Sequence, residues 1–385
     1  MTILGIFTIN QIRTGGDRRY LELMEQLAER GNKVFVIMNT YLDYTPKHFT
    51  KIQIPIKYIR RGFPPASYLF KKNVKKHFKY IINNFNNSSI DFIHIHGDIY
   101  IKTAILLKKK LKIPFFYASR NDDIQRDSVI CKHSKLSIKE KFYYFLLKTK
   151  NKYREKQISK YAEIITLQSC GDRDIFCKRN KLSPSKTIVI PGNIGLPRCT
   201  EEWENKNTST TVKNLLFVGA FSVSKGVLII PAVLACLKEK GYGYLHCTIL
   251  GRNEFPKLNK EIEKYNVQDM VTLPGHSDPF PYLAKSDLFL YPALYDAYPD
   301  AVLEALHSGC PVLAASTGGL PDMLHYPELL FNPNDINEIA NKIEKCIKDT
   351  SFYLHIKKLC TERANFHHFN WPEQFEKAMK DYNNA

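Results

Sequence analysis

Several features are scarce or absent in this sequence of 385 residues. No apolar run approaches the roughly 20 residues that a membrane-spanning helix requires. The apolar stretch at residues 2–9 is short and lacks a basic region and a cleavage site, so we interpret it as a first strand and not as a signal peptide. The 9 cysteines include no Cys-x-x-Cys pair. They argue against a disulfide framework or a zinc site and indicate reduced thiols in a cytosolic compartment.

Acidic residues are few relative to basic ones, and the formal net charge is +18. Such a balance implies a polyanionic partner, which is nucleic acid, an anionic membrane surface or a phosphorylated substrate. A lysine-rich surface without a specific partner is the alternative. The chain is too long for one typical hydrophobic core, and its length suits two domains.

The most informative stretch is residues 296–322, with the sequence DAYPDAVLEALHSGCPVLAASTGGLPD. It follows an apolar strand and begins with a short loop at residues 296–299. A helix is predicted to begin near Asp300 and to end at Gly309, since glycine adopts the left-handed conformation that ends many helices. Residues 311–315 then have the composition of a buried strand.

This strand–loop–helix–strand pattern favours a ligand with phosphates and hydroxyls. Loops at the carboxyl ends of parallel strands bind ligands in open α/β sheets, and a helix N-terminus favours an anion such as a diphosphate. Asp296 in the loop and Glu304 in the helix add two carboxylates that accept hydrogen bonds. A nucleotide sugar combines both requirements. Ordinary loop and cap carboxylates are the alternative interpretation of the two acids.

The stretch resembles the acidic-pair motif of the retaining glycosyltransferases of family 4, which have the GT-B fold. The matching residues are Glu304, Ala305, Gly309, Pro311, Val312, Gly318, Gly319 and Pro321. The sequence departs from the family at the first acid, Asp296, and at the last, Asp322. The resemblance implies that Asp296 contacts sugar hydroxyls, with a reach one methylene shorter than usual, and that Glu304 contacts the ribose.

Further matches extend this resemblance over nearly the whole chain. Lys225 corresponds to the diphosphate-binding lysine of the family. Ala220 stands where the family has a diphosphate-binding arginine, and Arg252 and Arg120 are the two candidates to supply the missing charge. The implied catalytic residues are Arg120, Lys225, Asp296 and Glu304. The implied donor-binding residues are Gly15, Gly16, Lys225, Arg252, Asn253, His276, Asp296, Ala297, Tyr298, Pro299, Asp300, Ala301, Val302 and Glu304.

The first half of the chain carries weaker signals. Gly15 and Gly16 lie between a first strand and a helix predicted from about residue 18 to 30. Such a loop lets backbone N–H groups approach a phosphate, although a plain tight turn is equally compatible. The resemblance favours the phosphate, since the family has Gly-Gly here.

Residues expected on the acceptor side are His96, Arg120, Asp122 and Asp123. Arg120 stands where many family members have a histidine, and it supplies permanent positive charge without accepting a proton. Asp122 or Asp123 could orient the acceptor hydroxyl, and a polar loop is the alternative. His94 and His96 share one strand face, but no third metal ligand is apparent.

Residues 126–161 form the most basic segment. Within residues 139–158, aromatic and leucine side chains alternate with lysines. A basic helix of this kind fits docking on anionic lipid headgroups. The alternatives are a half-buried helix packed on the first sheet and, third, a nucleic-acid surface, although no recognised nucleic-acid motif accompanies the charge.

We therefore expect an α/β protein of GT-B architecture, with two Rossmann-like parallel-sheet domains facing a central cleft. Residues 1–196 are the expected acceptor-binding domain and residues 212–365 the nucleotide-sugar-binding domain. A C-terminal helix at about residues 366–385 is expected to cross back to the first domain.

The resemblance implies transfer of a hexosyl unit, favouring a UDP-sugar donor, to a saccharide or lipid-linked saccharide, as in O-antigen, capsule or other surface-glycan assembly. It implies retention and no metal or other cofactor, and the sequence has no Asp-x-Asp cluster in a strand-end loop. We expect a cytoplasmic protein, peripheral on the inner face of the membrane, with no nucleic-acid partner. A catalytically silent binding protein and a nucleotide-sugar epimerase on the same fold are the alternatives.

Overall fold

A computed structural model describes residues 1–12, 15–58, 65–193, 210–251 and 255–384. The chain divides into two compact units. The first comprises Met1–Asp122, Phe145–Pro191 and Asn370–Ala385, and the second comprises Asp123–Tyr144 and Gly192–Phe369. The sequence expectation placed residues 123–144 in the first domain. They group with the second unit because their first helix packs against the turn at residues 223–225.

The strands and helices from the N-terminus to residue 189 alternate along the chain. They are β1 (Thr2–Phe7), α1 (Gly15–Glu29), β2 (Lys33–Asn39), β3 (Thr50–Ile54), α2 (Ala66–Lys76), α3 (Phe78–Asn83), β4 (Phe92–His96), α4 (Ile101–Leu111), β5 (Phe115–Ala118), α5 (Asp123–His133), α6 (Ile138–Tyr161), β6 (Ile164–Leu167), α7 (Cys170–Asn180) and β7 (Thr187–Val189).

The seven strands β1 to β7 form one parallel sheet in the order β3-β2-β1-β4-β5-β6-β7. Strands of a parallel sheet are covered on both faces, which explains their near-continuous apolar composition. β4 is buried along its whole length, and Leu4, Ile6, Phe35 and Ile93 contribute to the core. The strand order reverses between β1 and β4. Ligands bind at such a switch point in open α/β sheets.

The elements after residue 213 alternate in the same way. They are β8 (Asn214–Val218), α8 (Ile230–Glu239), β9 (His246–Leu250), α9 (Pro256–Lys264), β10 (Val271–Gly275), α10 (Phe280–Leu283), β11 (Leu288–Tyr291), α11 (Asp300–His307), β12 (Val312–Ala315), α12 (Leu320–Leu324), β13 (Leu330–Phe331), α13 (Ile336–Lys348), α14 (Thr350–Phe366) and α15 (Trp371–Asn384).

The strands β8 to β13 form a second parallel sheet in the order β10-β9-β8-β11-β12-β13. Its switch point lies between β8 and β11, which pair through Leu215 with Leu288 and Leu216 with Phe289. The last helix, α15, belongs to the first unit. Its Phe375 ring lies 5.7 Å from the rings of both His94 and Phe116.

The start of α1 differs from the sequence expectation of a Gly-Gly loop followed by a helix from about residue 18. In the structure Gly15 and Gly16 form the first turn of α1 itself. The first N–H groups of a helix need no intrahelical acceptor, so glycines are accommodated there, and the amides still point out of the helix end. The expected phosphate-facing groups are thus helix N-terminal amides.

Candidate functional site

The switch point of the second sheet brings together the two residues that the sequence predicted for donor chemistry. Lys225 closes a 3-10 turn after β8, and Asp296 lies in the loop after β11. The Lys225 Nζ donates to the Asp296 carboxylate. The side chain of Lys225 is 27% exposed and that of Asp296 10%. A cation and a carboxylate therefore meet where the fold favours ligand binding.

Tyr291, the last residue of β11, is a third member of this group. Its hydroxyl donates to the Asp296 Oδ2 at 2.7 Å, and the side chain is buried. Burial, together with the charge of Asp296, raises the pKa of the Tyr291 hydroxyl well above 10. The hydroxyl therefore remains a donor and holds the carboxylate in place. The sequence analysis missed Tyr291, although its position at the end of a strand was a usable signal.

Two glycines allow the loops around Asp296 to approach each other. At Gly226, which has φ +69°, a Cβ would lie 1.7 Å from the Pro292 carbonyl oxygen. At Gly318, with φ +56°, a Cβ would lie 2.0 Å from the Asp296 carbonyl oxygen. That oxygen also accepts a hydrogen bond of 2.9 Å from the Gly319 N–H. The backbone of Asp296 is therefore fixed by neighbouring loops, which gives the Gly-Gly pair its physical role.

Helix α11 places Glu304 one turn from its N-terminus. The Glu304 side chain is largely buried. The helix begins after Pro299, which supplies no capping side chain, and Asp300 lies in the first turn, where a carboxylate interacts favourably with the helix dipole. The side chains of Tyr298 and Val302 are buried in the core of the second unit. The groups that these two residues can offer a ligand are therefore backbone groups.

The remaining predicted donor residues follow the neighbouring strands. The loops after β8 and β9 lie so close that a Cβ at Gly251 would be 2.2 Å from the Gly219 carbonyl oxygen. His276 follows β10 directly and is exposed. Arg252 and Asn253 lie outside the described residues.

The switch point of the first sheet holds a second cation–carboxylate pair. The Arg120 Nη1 donates to the Asp17 Oδ1 at 2.8 Å, and the Asp17 side chain is 7% exposed. The Arg120 side chain lies over two glycines. A Cβ at Gly16 would be 2.7 Å from its Nη2, and one at Gly97 would be 3.1 Å from its Cδ. The structure therefore brings the two predicted residues Gly16 and Arg120 together with Asp17. The sequence analysis did not predict the ion pair between Asp17 and Arg120.

The two histidines of β4 are buried and electrically neutral. Burial, with a further contribution from the nearby Arg120, holds the pKa of His96 well below 6.5, and its Nδ1 has no hydrogen-bond partner among the described residues. Burial alone lowers the pKa of His94 to about 3, and within the same part of the chain both of its ring nitrogens lack partners. Within the described ranges, no group of three or more His, Cys, Asp or Glu side chains could hold a metal ion.

The two acids expected to orient an acceptor are both held by arginines. Asp122 is buried and accepts a hydrogen bond of 2.6 Å from Arg179, which also bonds Glu155. Asp123 accepts one of 2.6 Å from Arg126. Asp122 belongs to the first compact unit and Asp123 to the second. The geometry of Asp122 is that of a structural salt bridge. The sequence analysis did not identify Arg179 as the partner of Asp122.

Two family models match consecutive parts of the chain. The model described as "Glycosyltransferase Family 4" matches residues 13–194, and the model described as "Glycosyl transferases group 1" matches residues 200–363. The second match contains Lys225, Tyr291, Asp296 and Glu304. The first match contains Asp17, Arg120 and β4, whereas β1 precedes it.

The chain is also similar to individual glycosyltransferases and to solved structures. The uncharacterized glycosyltransferase MJ1059 of Methanocaldococcus jannaschii is 27% identical over 262 residues, which cover 65% of this chain and 60% of that protein. The lipopolysaccharide glucosyltransferase WaaG of Escherichia coli is 24% identical over 321 residues, which cover 79% of this chain and 78% of WaaG. The crystal structure of Anabaena Alr3699/HepE in complex with UDP has a TM-score of 0.71 at 15% identity, over 99% of this chain and 100% of that one.

Proposed function

Because the chain belongs to the group 1 glycosyltransferases of the GT-B fold, we propose that it transfers a hexosyl unit from a UDP-sugar to a hydroxyl group. We further propose that the anomeric configuration of the sugar is retained. The UDP preference rests on the likeness to a structure solved with UDP and on the glucosyltransferase WaaG. The observation that carries the proposal is the group of Lys225, Asp296 and Tyr291 at the second switch point.

Lys225 is the residue that stabilises the leaving diphosphate in this proposal. Its ammonium group is bonded to Asp296, and the side chain is 27% exposed, so a ligand phosphate can reach it. The N-terminal amides of α11 add positive partial charges. Positive groups fixed in advance at the point where charge develops are often the largest contribution to enzymatic rate enhancement. We therefore propose that the reaction needs no metal ion or other cofactor.

Asp296 and Glu304 recognise the two polyhydroxyl parts of the donor. Asp296 accepts hydrogen bonds from sugar hydroxyls, and Tyr291 orients its carboxylate. Glu304 accepts from the ribose. Arg120 cannot act as a base because its guanidinium does not lose a proton in proteins, so its proposed role is to supply fixed positive charge near the acceptor side.

The proposed acceptor is a saccharide carried on a lipid, as in the assembly of surface glycans. Its support is the relation to WaaG, whose name specifies a lipopolysaccharide glucosyltransferase. The excess of positive charge in the chain agrees with an acceptor embedded among anionic lipids.

Thermal unfolding in the presence of UDP, GDP, ADP, CDP and their sugar conjugates tests the donor site. A ligand at 100 times its Kd stabilises the native state by about 2.7 kcal/mol, which gives a clear rise in Tm. We expect a rise with UDP that is lost in Glu304→Gln and kept in the control Glu239→Gln, whose side chain is exposed.

Chromatography of the products after incubation with UDP-hexose and a saccharide acceptor tests the reaction. A new glycoside with retained configuration supports the proposal. A free isomerised sugar would identify an epimerase. Binding of UDP without any product under these conditions would favour a catalytically silent protein, for which the alanine at position 220 is the relevant departure.

A further inference from the structure

The 24-residue helix α6 has one face that packs against the protein. Asn151 and Ile158 are its buried residues. Arg154 donates to the Asp98 Oδ2 at 2.8 Å, and Glu155 accepts from Arg179 at 2.6 Å. At 100° per residue these four positions lie within one quarter to one third of the helix circumference. This face attaches α6 to the first unit.

The opposite side of α6 carries a row of exposed apolar residues, which we call the outer stripe. It consists of Ile138, Phe142, Phe145, Leu146 and Tyr153, which are 88%, 61%, 63%, 50% and 55% exposed. Their spacing of four, three, one and seven residues places them on one side of the helix. A helix packed on the sheet through its aromatic side would bury these residues. The half-buried helix that the sequence left open is therefore present, but it packs on the first unit through the face of Asn151 and Ile158 and leaves the outer stripe exposed.

Lysines border the outer stripe on both sides. Helical spacing places Lys141, Lys148 and Lys152 along one edge and Lys139 and Lys150 along the other, and all five are exposed. Glu140 is the only acidic residue between Ile138 and Tyr153. The arrangement is an apolar strip about 100° wide between two cationic borders, which is the pattern of helices that lie in a membrane interface.

We infer that the outer stripe docks α6 on an anionic lipid surface. The apolar side chains enter the region between headgroups and acyl chains, while the lysines extend their ammonium groups to the phosphates. A second protein is a poorer occupant, because lysine is depleted from protein interfaces. Nucleic acid is also a poorer occupant, because isoleucine, leucine and two phenylalanines offer no complement to a phosphate backbone.

This mode of attachment is peripheral. Within the described ranges, no helix is long and apolar enough to cross a bilayer. The inference deepens the proposed function only by bringing the enzyme to a lipid-linked acceptor, and it involves no donor residue. Its test therefore uses no glycosyl transfer, and failure of one proposal leaves the other standing.

Flotation of the full chain with lipid vesicles tests the inference. One set of vesicles contains equal parts of phosphatidylglycerol and phosphatidylcholine, and the other contains phosphatidylcholine alone. We expect binding to the anionic vesicles that weakens with added salt, since exposed charges are screened. The variant Phe142→Ser/Phe145→Ser should lower the partition coefficient by about tenfold or more, because two largely exposed rings no longer leave water on binding.

Matched variants distinguish binding through the outer stripe from non-specific adsorption of the protein to vesicles. Tyr244→Ser/Leu354→Ser removes two apolar side chains that are 58% and 48% exposed elsewhere, and should leave the partition coefficient unchanged. Lys148→Gln/Lys152→Gln should lower it about tenfold, whereas Lys377→Gln/Lys380→Gln, with the same change in net charge, should not. Since every altered side chain is exposed, circular dichroism and Tm should match the wild type.

Two results would overturn the inference. One is the absence of vesicle binding, or equal binding by the stripe variant and its control. The other is a dimer, seen by light scattering, that dissociates in Phe142→Ser/Phe145→Ser, which would show that a second copy of the chain occupies the stripe.

Discussion

The switch points of the two sheets have similar contents but differ in construction. Each holds a cation paired with a buried carboxylate, Arg120 with Asp17 in the first unit and Lys225 with Asp296 in the second. In each, glycines make room for the pair. In the second unit the glycines face backbone atoms, because a Cβ at Gly226 would meet the Pro292 carbonyl. In the first, the three described atoms nearest to a Cβ at Gly16 belong to the movable end of the Arg120 side chain.

This difference separates a rigid site from an adjustable one. Around Asp296, backbone hydrogen bonds and close glycine contacts fix the carboxylate before any ligand arrives. Around Asp17, the three atoms nearest to a Cβ at Gly16 belong to the flexible Arg120 side chain, so an added methyl group displaces the guanidinium end first. The contrast agrees with the proposed roles of the two pairs. In that proposal the group around Asp296 binds the diphosphate, which is the same in every donor, and preorganised groups contribute most where charge develops. The pair of Arg120 with Asp17 lies on the proposed acceptor side.

The comparison is tested most strongly by removing each cation. Lys225→Ala should lower kcat by about 10²- to 10³-fold, the typical loss when one preorganised stabiliser of developing charge is removed. Arg120→Ala should cost less, about tenfold in kcat, because an adjustable group contributes less preorganised stabilisation. Steady-state kinetics with UDP-hexose measures both.

A control for this prediction is the variant Lys213→Ala, which removes a lysine of the same unit just before β8. Its kcat should stay close to the wild-type value. An Arg120→Ala enzyme as impaired as Lys225→Ala would contradict the distinction between a rigid and an adjustable site.

Alanine at the two glycines sharpens the comparison further. Gly226→Ala should destabilise the protein by about 2 to 4 kcal/mol, because the left-handed backbone and the overlap with a backbone carbonyl both oppose a Cβ. Gly16→Ala should lower stability by less than about 1 kcal/mol, since only the guanidinium end must move. Its effect should appear in kcat, through the displaced Arg120.

Urea unfolding of both variants measures these changes, and Gly31→Ala is a useful reference. Gly31 also has a positive φ of +86°, but a Cβ there meets no atom within 4 Å. Its cost isolates the backbone contribution of the left-handed conformation. A Gly16→Ala protein that is as unstable as Gly226→Ala would show that the first switch point is rigid too.

Much of the second unit could be predicted from sequence because its site is encoded locally. Strand, loop, helix and strand follow one another within residues 287–315, and each residue type has a recognisable role in that order. The fold class follows from alternating apolar strands and amphipathic helices. The carboxylate pair and Lys225 were predicted, and the structure places Lys225 against Asp296.

The first unit was less predictable because its site joins distant residues. Asp17 and Arg120 are 103 positions apart, and no local pattern reveals such a pair. The outer stripe of α6 shows a second limit. Periodicity shows which side chains share a face, but whether another element covers that face is decided by the packing of the whole chain. The grouping of residues 123–144 with the second unit depends on packing in the same way.

An effect smaller than those expected at Lys225 and Gly226 concerns one buried histidine in each unit. Burial lowers the pKa of His94 to about 3 and, as the largest cause, that of His367 to about 4. The ring of His94 has no hydrogen-bond partner in the described part of the chain, whereas the Nε2 of His367 lies 3.1 Å from the Met323 carbonyl oxygen. His94→Phe should therefore stabilise the protein by about 1 kcal/mol at pH 7, and His367→Phe should destabilise it by a similar amount.

Lowering the pH should stabilise both variants relative to the wild type by the same amount, so the difference between them should stay unchanged. An unfolded histidine has a pKa near 6.5, so above that pH neither residue affects the pH dependence of stability. As the pH falls below 6.5 the unfolded state binds protons that the folded state does not, and each histidine costs up to about 1.4 kcal/mol per pH unit. Both variants remove one such residue. Relative to the wild type, each should gain about 2 kcal/mol between pH 7 and pH 5, measured by urea unfolding. Leu354→Phe, at an exposed position without a titratable group, is the control and should show no such gain. Equal pH slopes in His94→Phe and the wild type would mean that His94 is protonated in the folded protein.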